Sequence, residues 1–398
     1  MQNDKSGSRA KVPRNKENDF TREMMTARQD FVSEQTQTSI PNISASTIDP
    51  HSLAGNIENA LGSAQVPIGL AGPMLVNGEH IQESVYVPLA TTEGTLVASY
   101  SRGMRLLNSV GGAKVTVVER FMQRAPVFHF EDARAARDFG QWLSENLSGV
   151  RGAAESTSSV VKLSHIEQYG VARMWYLRMN FTTGDAAGQN MSGKAAQAAC
   201  EWVMDNYASD TPIRYTLSGA IDTDKKHSHL NTLHSRGARV IAEATIPAAV
   251  MKSMMKADTK MMYAARQVST VGGLLAGTTN NGLHAANALA ALFIATGQDA
   301  ANVAESQAGI TYVDLAPNGD LYWSITLPSI IAATYGGGTG LATQRECLDI
   351  LGCYGSGKIN RLLEIIGATV LAGEISLAAA VVAGHWVESH DALGRNRP

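Results

Sequence analysis

Cysteine is scarce in this chain: Cys200, Cys347 and Cys353 are the only three among 398 residues, and they form neither a C-x-x-C pair nor a dense framework. A disulfide-stapled secreted scaffold is thereby excluded, and a reducing cytoplasm is the expected setting. Charge is sparse too. Only 17% of residues are charged and the formal net charge is -3, so nothing attracts nucleic acid globally, and an anionic ligand must be held by a local basic patch. The polar opening residues lack the apolar stretch of a signal peptide. The most apolar later run, Gly367 to Val387, is interrupted by Glu374 and His385, and it reads as a buried helix rather than a membrane span.

Several familiar site motifs are missing as well. No G-x-G-x-x-G opens a helix after a strand, so any dinucleotide must bind without a Rossmann domain. The segment Gly352-Cys-Tyr-Gly-Ser-Gly-Lys358 matches most of a P-loop, but Ile359 stands where Mg²⁺ binding needs Ser or Thr. His227, His229 and His234 lack a carboxylate or cysteine at ligand spacing, and no metal site is expected.

What is present is enough apolar residue, 44%, for a large core and two or three domains. Residues 1–56 are polar and read as a loosely ordered arm with an amphipathic stretch around Phe20 to Val32. Residues 57–125 and 217–398 read as one large substrate-binding domain. Between them, residues 126–216 read as strand (Pro126 to Phe130), helix (Asp132 to Leu147), two strands (Val160 to His165, Ala172 to Phe181), helix (Ser192 to Tyr207) and strand (Ile213 to Leu217). That β-α-β-β-α-β order is ferredoxin-like. Ala238 to Ala265, Leu283 to Thr296 and Leu362 to Val387 read as long helices around glycine-rich stretches at 272–282 and 336–340. The expected fold class is α+β, a large helix-rich domain interrupted by a small inserted one.

Four polar constellations stand out. Ala90-Thr-Thr-Glu93-Gly places a carboxylate before a helix-like run, where it either favours the helix start or serves as a buried acid of raised pKa. Arg102 and Arg105 share a helical face that can meet phosphates or simply be solvated. Thr223-Asp224-Lys225-Lys226 is either an exposed turn or a lysine fixed by carboxylates, suited to an oxygen that becomes anionic. His284 and Asn287 lie at i and i+3 on an apolar helix, and Asp299 follows its Gly297 as a turn residue or a site acid. Near the C-terminus, His385 and His390 are structural or, if one reaches solvent, can protonate a thiolate near neutral pH.

Taken in order, these segments resemble the 3-hydroxy-3-methylglutaryl-coenzyme A (HMG-CoA) reductase family over roughly residues 57–395. The matching stretches include Glu58-Asn-Ala-Leu-Gly62 with Pro67 to Pro73, Ala90 to Gly94, Gly184-Asp185-Ala-Ala-Gly-Gln-Asn190, Asp224-Lys225-Lys226, His284 to Asn287, Gly297 to Asp299, Gly336 to Thr339, and Ala372 through His390. The Asp-Lys-Lys and Gly-Gly-Gly-Thr segments resemble the class that includes the eukaryotic catalytic domain. The resemblance implies NAD(P)H-dependent four-electron reduction of HMG-CoA to mevalonate and free coenzyme A. It assigns catalysis to Glu93, Lys225, Asp299 and His390, and cofactor binding to Asp185, Asn190 and Arg395. Substrate binding falls to Ser99, Arg102, Arg124, Ser218, Asp224, Lys226, His284 and Asn287. It also implies a homodimer or homotetramer with sites between subunits. The coenzyme implied is NADPH, with NADH the alternative because Thr157-Ser-Ser159 lacks the Arg of NADPH-using relatives. Gln267 stands where a Lys meets the acyl carboxylate and Ala220 where an Asn follows Ser-Gly, which leaves a different acyl-CoA, or a silent thioester-binding protein, as alternative readings.

Overall fold

The computed structural model describes residues 10–209 and 211–384. Ten strands form the sheets: β1 Ile68–Gly78, β2 Gln82–Ala90, β3 Ala113–Arg124, β4 Val127–His129, β5 Lys162–Val171, β6 Met174–Thr182, β7 Arg214–Thr216, β8 Gly237–Ile246, β9 Ile310–Leu315 and β10 Leu321–Ile330. The helices are α1 Arg22–Thr36, α2 Pro41–Ser44, α3 Leu96–Asn108, α4 Ala133–Glu145, α5 Leu147–Glu155, α6 Gln189–Asn206, α7 His229–His234, α8 Ala248–Met255, α9 Thr259–Ala276, α10 Ala285–Thr296, α11 Val303–Ser306, α12 Ala342–Ile350 and α13 Ile359–Val382.

In the large domain β3, β8, β10 and β9 pair antiparallel, and the β1–β2 hairpin joins through a short parallel ladder between β1 and β3. Helix α13 packs on this sheet. Its Leu362, Ile366, Val370, Leu371 and Ile375 are buried, each worth about 1.5–3 kcal/mol of transfer free energy. The helix is long and apolar enough to cross a bilayer, yet 83% of that window is buried inside the protein, so it is a core helix. Its two buried carboxylates both satisfy backbone donors. Glu364 accepts from the N–H groups of Glu79 and His80 in the β1–β2 turn, both at 2.9 Å. Glu374 accepts from Leu283 and His284 at the start of α10, at 2.7 and 2.5 Å. Orphaned N–H groups at a helix start need such a partner.

One expectation fails here. The stretch 238–265 is not a single helix: it is β8, then α8 and α9. Its alanines suggested a helix, but Ala238, Val240, Ala242, Ala244 and Ile246 are buried at every second position, the period of a strand, and Pro247 then stands just before α8.

The inserted segment has its own core around Phe128, Phe139, Leu177, Phe181 and Val203. Its strands lie in the order β7-β4-β6-β5, all neighbours antiparallel, which is the ferredoxin-like pattern. Asp132 caps α4 by accepting from Arg134 and Ala135, and the helix expected to reach 147 breaks at Asn146 into α4 and α5. The amino-terminal arm is also better tied down than its polarity suggested. The guanidinium of Arg28 is buried against Asp19 and donates to the carbonyls of Pro13 and Ala60, while Met25 packs with Leu53 and Ala60.

Candidate active site

The turn that follows β7 is tightly constrained. Ala220, Thr223 and Lys225 all have left-handed backbone, with φ of 66°, 56° and 55°. Such a conformation costs a non-glycine residue about 1–2 kcal/mol, so surrounding contacts must sustain it. They are buried and numerous. Asp222 accepts from Ser218 at 3.1 Å and pairs with Arg124 at 3.3 Å. Thr223 donates to Asn231 at 2.5 Å, and Asp224 pairs with the buried Arg236 at 2.7 Å. The backbone N–H of Lys225 donates to Glu305 at 3.1 Å.

Held this way, Lys225 places its Nζ 2.9 Å from Oδ2 of Asp299. Asp299 sits just past the Gly297 cap of α10 and also accepts from the N–H of Ala301. Hydrogen bonding to Asp299 is the chief reason that the Lys225 ammonium titrates above its usual range. The pair is a cation aimed by a carboxylate, at the edge of open space. Lys226 lies outside it; among the described residues its ammonium donates only to the carbonyl of Asp224, at 3.0 Å.

A second pair forms at the other end of α10, where Oε2 of Glu93 accepts from Nδ2 of Asn287 at 2.6 Å. Of the two readings open for Glu93, burial does not hold in the single chain: the side chain is exposed and lies on the loop between β2 and α3. Nearby, His284 is buried and stacks on Tyr100 with centroids 4.8 Å apart. Burial pushes its imidazole down to about 4, so it is neutral at physiological pH. Ser99 and Arg102 project from α3 toward α13, where Arg102 donates to the hydroxyl and carbonyl of Ser376 at 3.1 and 2.6 Å. Among the described residues Arg102 has no carboxylate partner, which leaves its charge available to an anion.

The two pairs do not meet within one chain. Nine helical steps separate Asn287 from Thr296, which alone amounts to about 13 Å along α10 at 1.5 Å per residue.

Between the start of α6 and the loops after α10 and β10 lies a cleft of about 500 Å³ lined by Gly188, Gln189, Asn190, Asp299 and the loop Gly336 to Gly338. Gly336 and Gly337 have φ of 84° and 57°, and a side chain there would be strained. The start of the 18-residue helix α6 opens on this cleft, with the anion-favouring end of its dipole. Asn190 is thus placed in the cleft. Asp185 is used differently from the expectation: its carboxylate accepts from the N–H groups of Gly357, Lys358 and Ile359 at 2.8, 3.1 and 3.2 Å, capping α13 across the domain seam. The P-loop look-alike therefore has its donors filled by an internal acid. His390 and Arg395 lie outside the described residues.

Sequence reasoning missed Asp222, Arg236, Asn302 and Glu305, which hold the site residues from behind. Only Asp222 had a signal, two positions before Asp224.

A family model described as hydroxymethylglutaryl-coenzyme A reductase matches residues 24–395. The 3-hydroxy-3-methylglutaryl-coenzyme A reductase of Aeropyrum pernix is 38% identical over 98% of this chain and 94% of its own. The protein of the same name from Methanothermobacter thermautotrophicus is 39% identical over 94% of each chain. A class II reductase from Streptococcus pneumoniae, solved bound to NADPH in open conformations, shares the fold with a TM-score of 0.66 at 20% identity, over 92% of this chain and 99% of that one. The chain belongs to the hydroxymethylglutaryl-coenzyme A reductase family of oxidoreductases.

Proposed function

We propose that this chain converts HMG-CoA to mevalonate and free coenzyme A with NADPH, in sites completed by a second copy of the chain. The observation that carries the reading is the Lys225–Asp299 pair, 2.9 Å apart beside the cleft.

When a thioester is reduced, its carbonyl oxygen gathers negative charge, and a preorganised cation is worth more there than in water. Lys225 supplies that cation, and Asp299 keeps it protonated and aimed. Asn287 orients the Glu93 carboxyl, whose proton goes to the aldehyde oxygen in the second reduction. His390 protonates the departing coenzyme A thiolate. His284, being neutral, contributes a hydrogen bond rather than a charge to the acyl group. Arg102 meets the anionic coenzyme A side, while Arg124, Ser218, Asp224 and Lys226 surround the acyl group. A bound dinucleotide would be held by the start of α6, whose N–H groups favour its phosphates, and by the loop Gly336 to Gly338. That group supplies the hydride when bound.

Support for a second copy comes from two features. Glu93 is too far along α10 from Lys225 of its own chain, and the outer face of α9 exposes Val268, Val271, Leu274 and Leu275, the last at 84%. A contiguous apolar face of this kind marks a protein contact. A cytoplasmic setting accords with three free thiols, all buried.

The test is an initial-rate assay with HMG-CoA, run in parallel with NADPH and NADH, with the products identified. Oxidation of neither coenzyme would overturn the reading. Faster oxidation of NADH would correct the coenzyme alone.

A further inference from the structure

The carboxylate of Glu305, on the short helix α11, belongs to no group that touches substrate, yet three donors converge on its Oε1. They are the backbone N–H of Lys225 at 3.1 Å, Nδ2 of Asn302 at 3.0 Å and Nε of Arg236 at 3.4 Å. Glu305 is only 1% exposed, Arg236 is fully buried and Asn302 is 1% exposed. Each of the three donors leads to a different part of the site. Lys225 carries the oxyanion-binding ammonium. Arg236 reaches on to Asp224 at 2.7 Å and to the carbonyl of Gln123, on the strand that leads into the inserted domain, at 3.1 Å. Asn302 accepts through Oδ1 from Nε2 of Gln189 at 2.8 Å, and Gln189 begins α6 on the wall of the dinucleotide cleft.

We infer that Glu305 is a positioning residue that locks the Lys225 turn and the dinucleotide loop into one rigid unit, so that the hydride donor and the oxyanion-binding cation are placed by the same buried carboxylate. The inference rests on the proposed reduction of HMG-CoA by NADPH, and it adds a link that neither motif contains. A backbone N–H bound to a side chain from another element fixes the start of the Lys225 side chain. Without it, a left-handed lysine relaxes toward right-handed backbone and its Nζ leaves Asp299. Without the Asn302 arm, Gln189 loses its anchor and the cleft wall loosens. The acceptor atom matters here more than the charge. Arg236 keeps Asp224 as a counterion, and the second oxygen of Glu305, Oε2, has no hydrogen-bond partner among the described residues.

This sets the effect of each substitution apart. Glu305→Gln keeps an acceptor at Oε1 and should retain at least roughly a third of kcat, whereas Glu305→Ala frees the turn and should lower kcat about 100-fold, the cost of a misplacement near 1 Å. Dinucleotide KM should rise together with that fall. Asn302→Ala cuts only the Gln189 arm, so it should raise dinucleotide KM severalfold while kcat changes much less.

The experiment is steady-state kinetics of the full chain and these three variants with HMG-CoA and NADPH, with circular dichroism melts alongside. The inference is overturned if Glu305→Gln is as impaired as Glu305→Ala, if Glu305→Ala keeps full activity, or if Asn302→Ala lowers kcat without moving KM. Should Glu305→Ala fail to fold, the kcat retained by Glu305→Gln and the KM shift of Asn302→Ala decide the matter. An inactive parent chain would instead refute the proposed reaction, so the two failures are distinguishable.

Discussion

If Glu93 of one chain serves Lys225 of another, two dead enzymes can repair each other. Glu93→Gln removes the proton donor and Lys225→Met removes the cation, so each variant alone should lose at least about two orders of magnitude in kcat. The separation along α10, about 13 Å from Asn287 to its end, is what forbids a single chain from assembling the site. In a mixed dimer each site takes Glu93 from one chain and Lys225 from the other, so one site carries both defects and the other is intact. Random association of equal amounts makes about half of the dimers mixed, and half of their sites work, so about a quarter of the parental activity should return. The variants are co-expressed under different affinity tags, or mixed through mild dissociation, and the rate is followed with HMG-CoA and NADPH. Size-exclusion chromatography with light scattering and retention of both tags confirm that mixed dimers exist. Activity that stays at the level of either variant, with exchange verified, would refute the shared site and require Glu93 to reach its own Lys225 by rearrangement.

Other consequences can be measured one at a time. A Cβ on Gly103 would lie 1.9 Å from the carbonyl oxygen of Ala372, so Gly103→Ala must push α3 off α13 at a cost of about 3 kcal/mol or more, seen as a lower chemical-denaturation midpoint. Because His284 titrates near 4 in the fold and near 6.5 when unfolded, the unfolded chain takes up the proton first. Its stabilising contribution is whole above pH 6.5 and is lost as pH falls toward 4, up to about 3 kcal/mol, and melts of His284→Phe against the parent chain should show the difference shrinking over that window. Asp185→Ala should cost about 1–2 kcal/mol through the lost cap of α13 and raise dinucleotide KM, because the same residue anchors the cleft loop.

What could be read from the sequence was whatever is local. Glu93, Lys225, Asn287 and Asp299 announce themselves within short runs whose residue types already suggest proton transfer or charge stabilisation. The strands and helices between 126 and 216 were readable because aromatic and β-branched strands alternate there with clear helical spacing. β8 was not, since its buried positions are filled largely by alanine, a helix former, and its partners β3 and β10 lie far away in the chain. Glu305 was invisible for a similar reason. Its meaning comes from Lys225, 80 residues earlier, and from the buried Arg236 beside it. Asp185 shows the converse case: the residue stands in a cleft-loop segment, but its carboxylate is committed to the N–H groups leading into α13, 172 to 174 residues further on.

The left-handed turn at Ala220, Thr223 and Lys225 has an operational consequence. Its geometry is borrowed from the packing around it, so it reports on the health of the whole interior. Mild warming or low urea that loosens Asp222, Asn231 or Glu305 lets this turn slacken while the sheets and α13 are still intact. Catalytic rate should therefore fade at lower denaturant than the far-ultraviolet dichroism does, leaving an enzyme that is still folded but already silent.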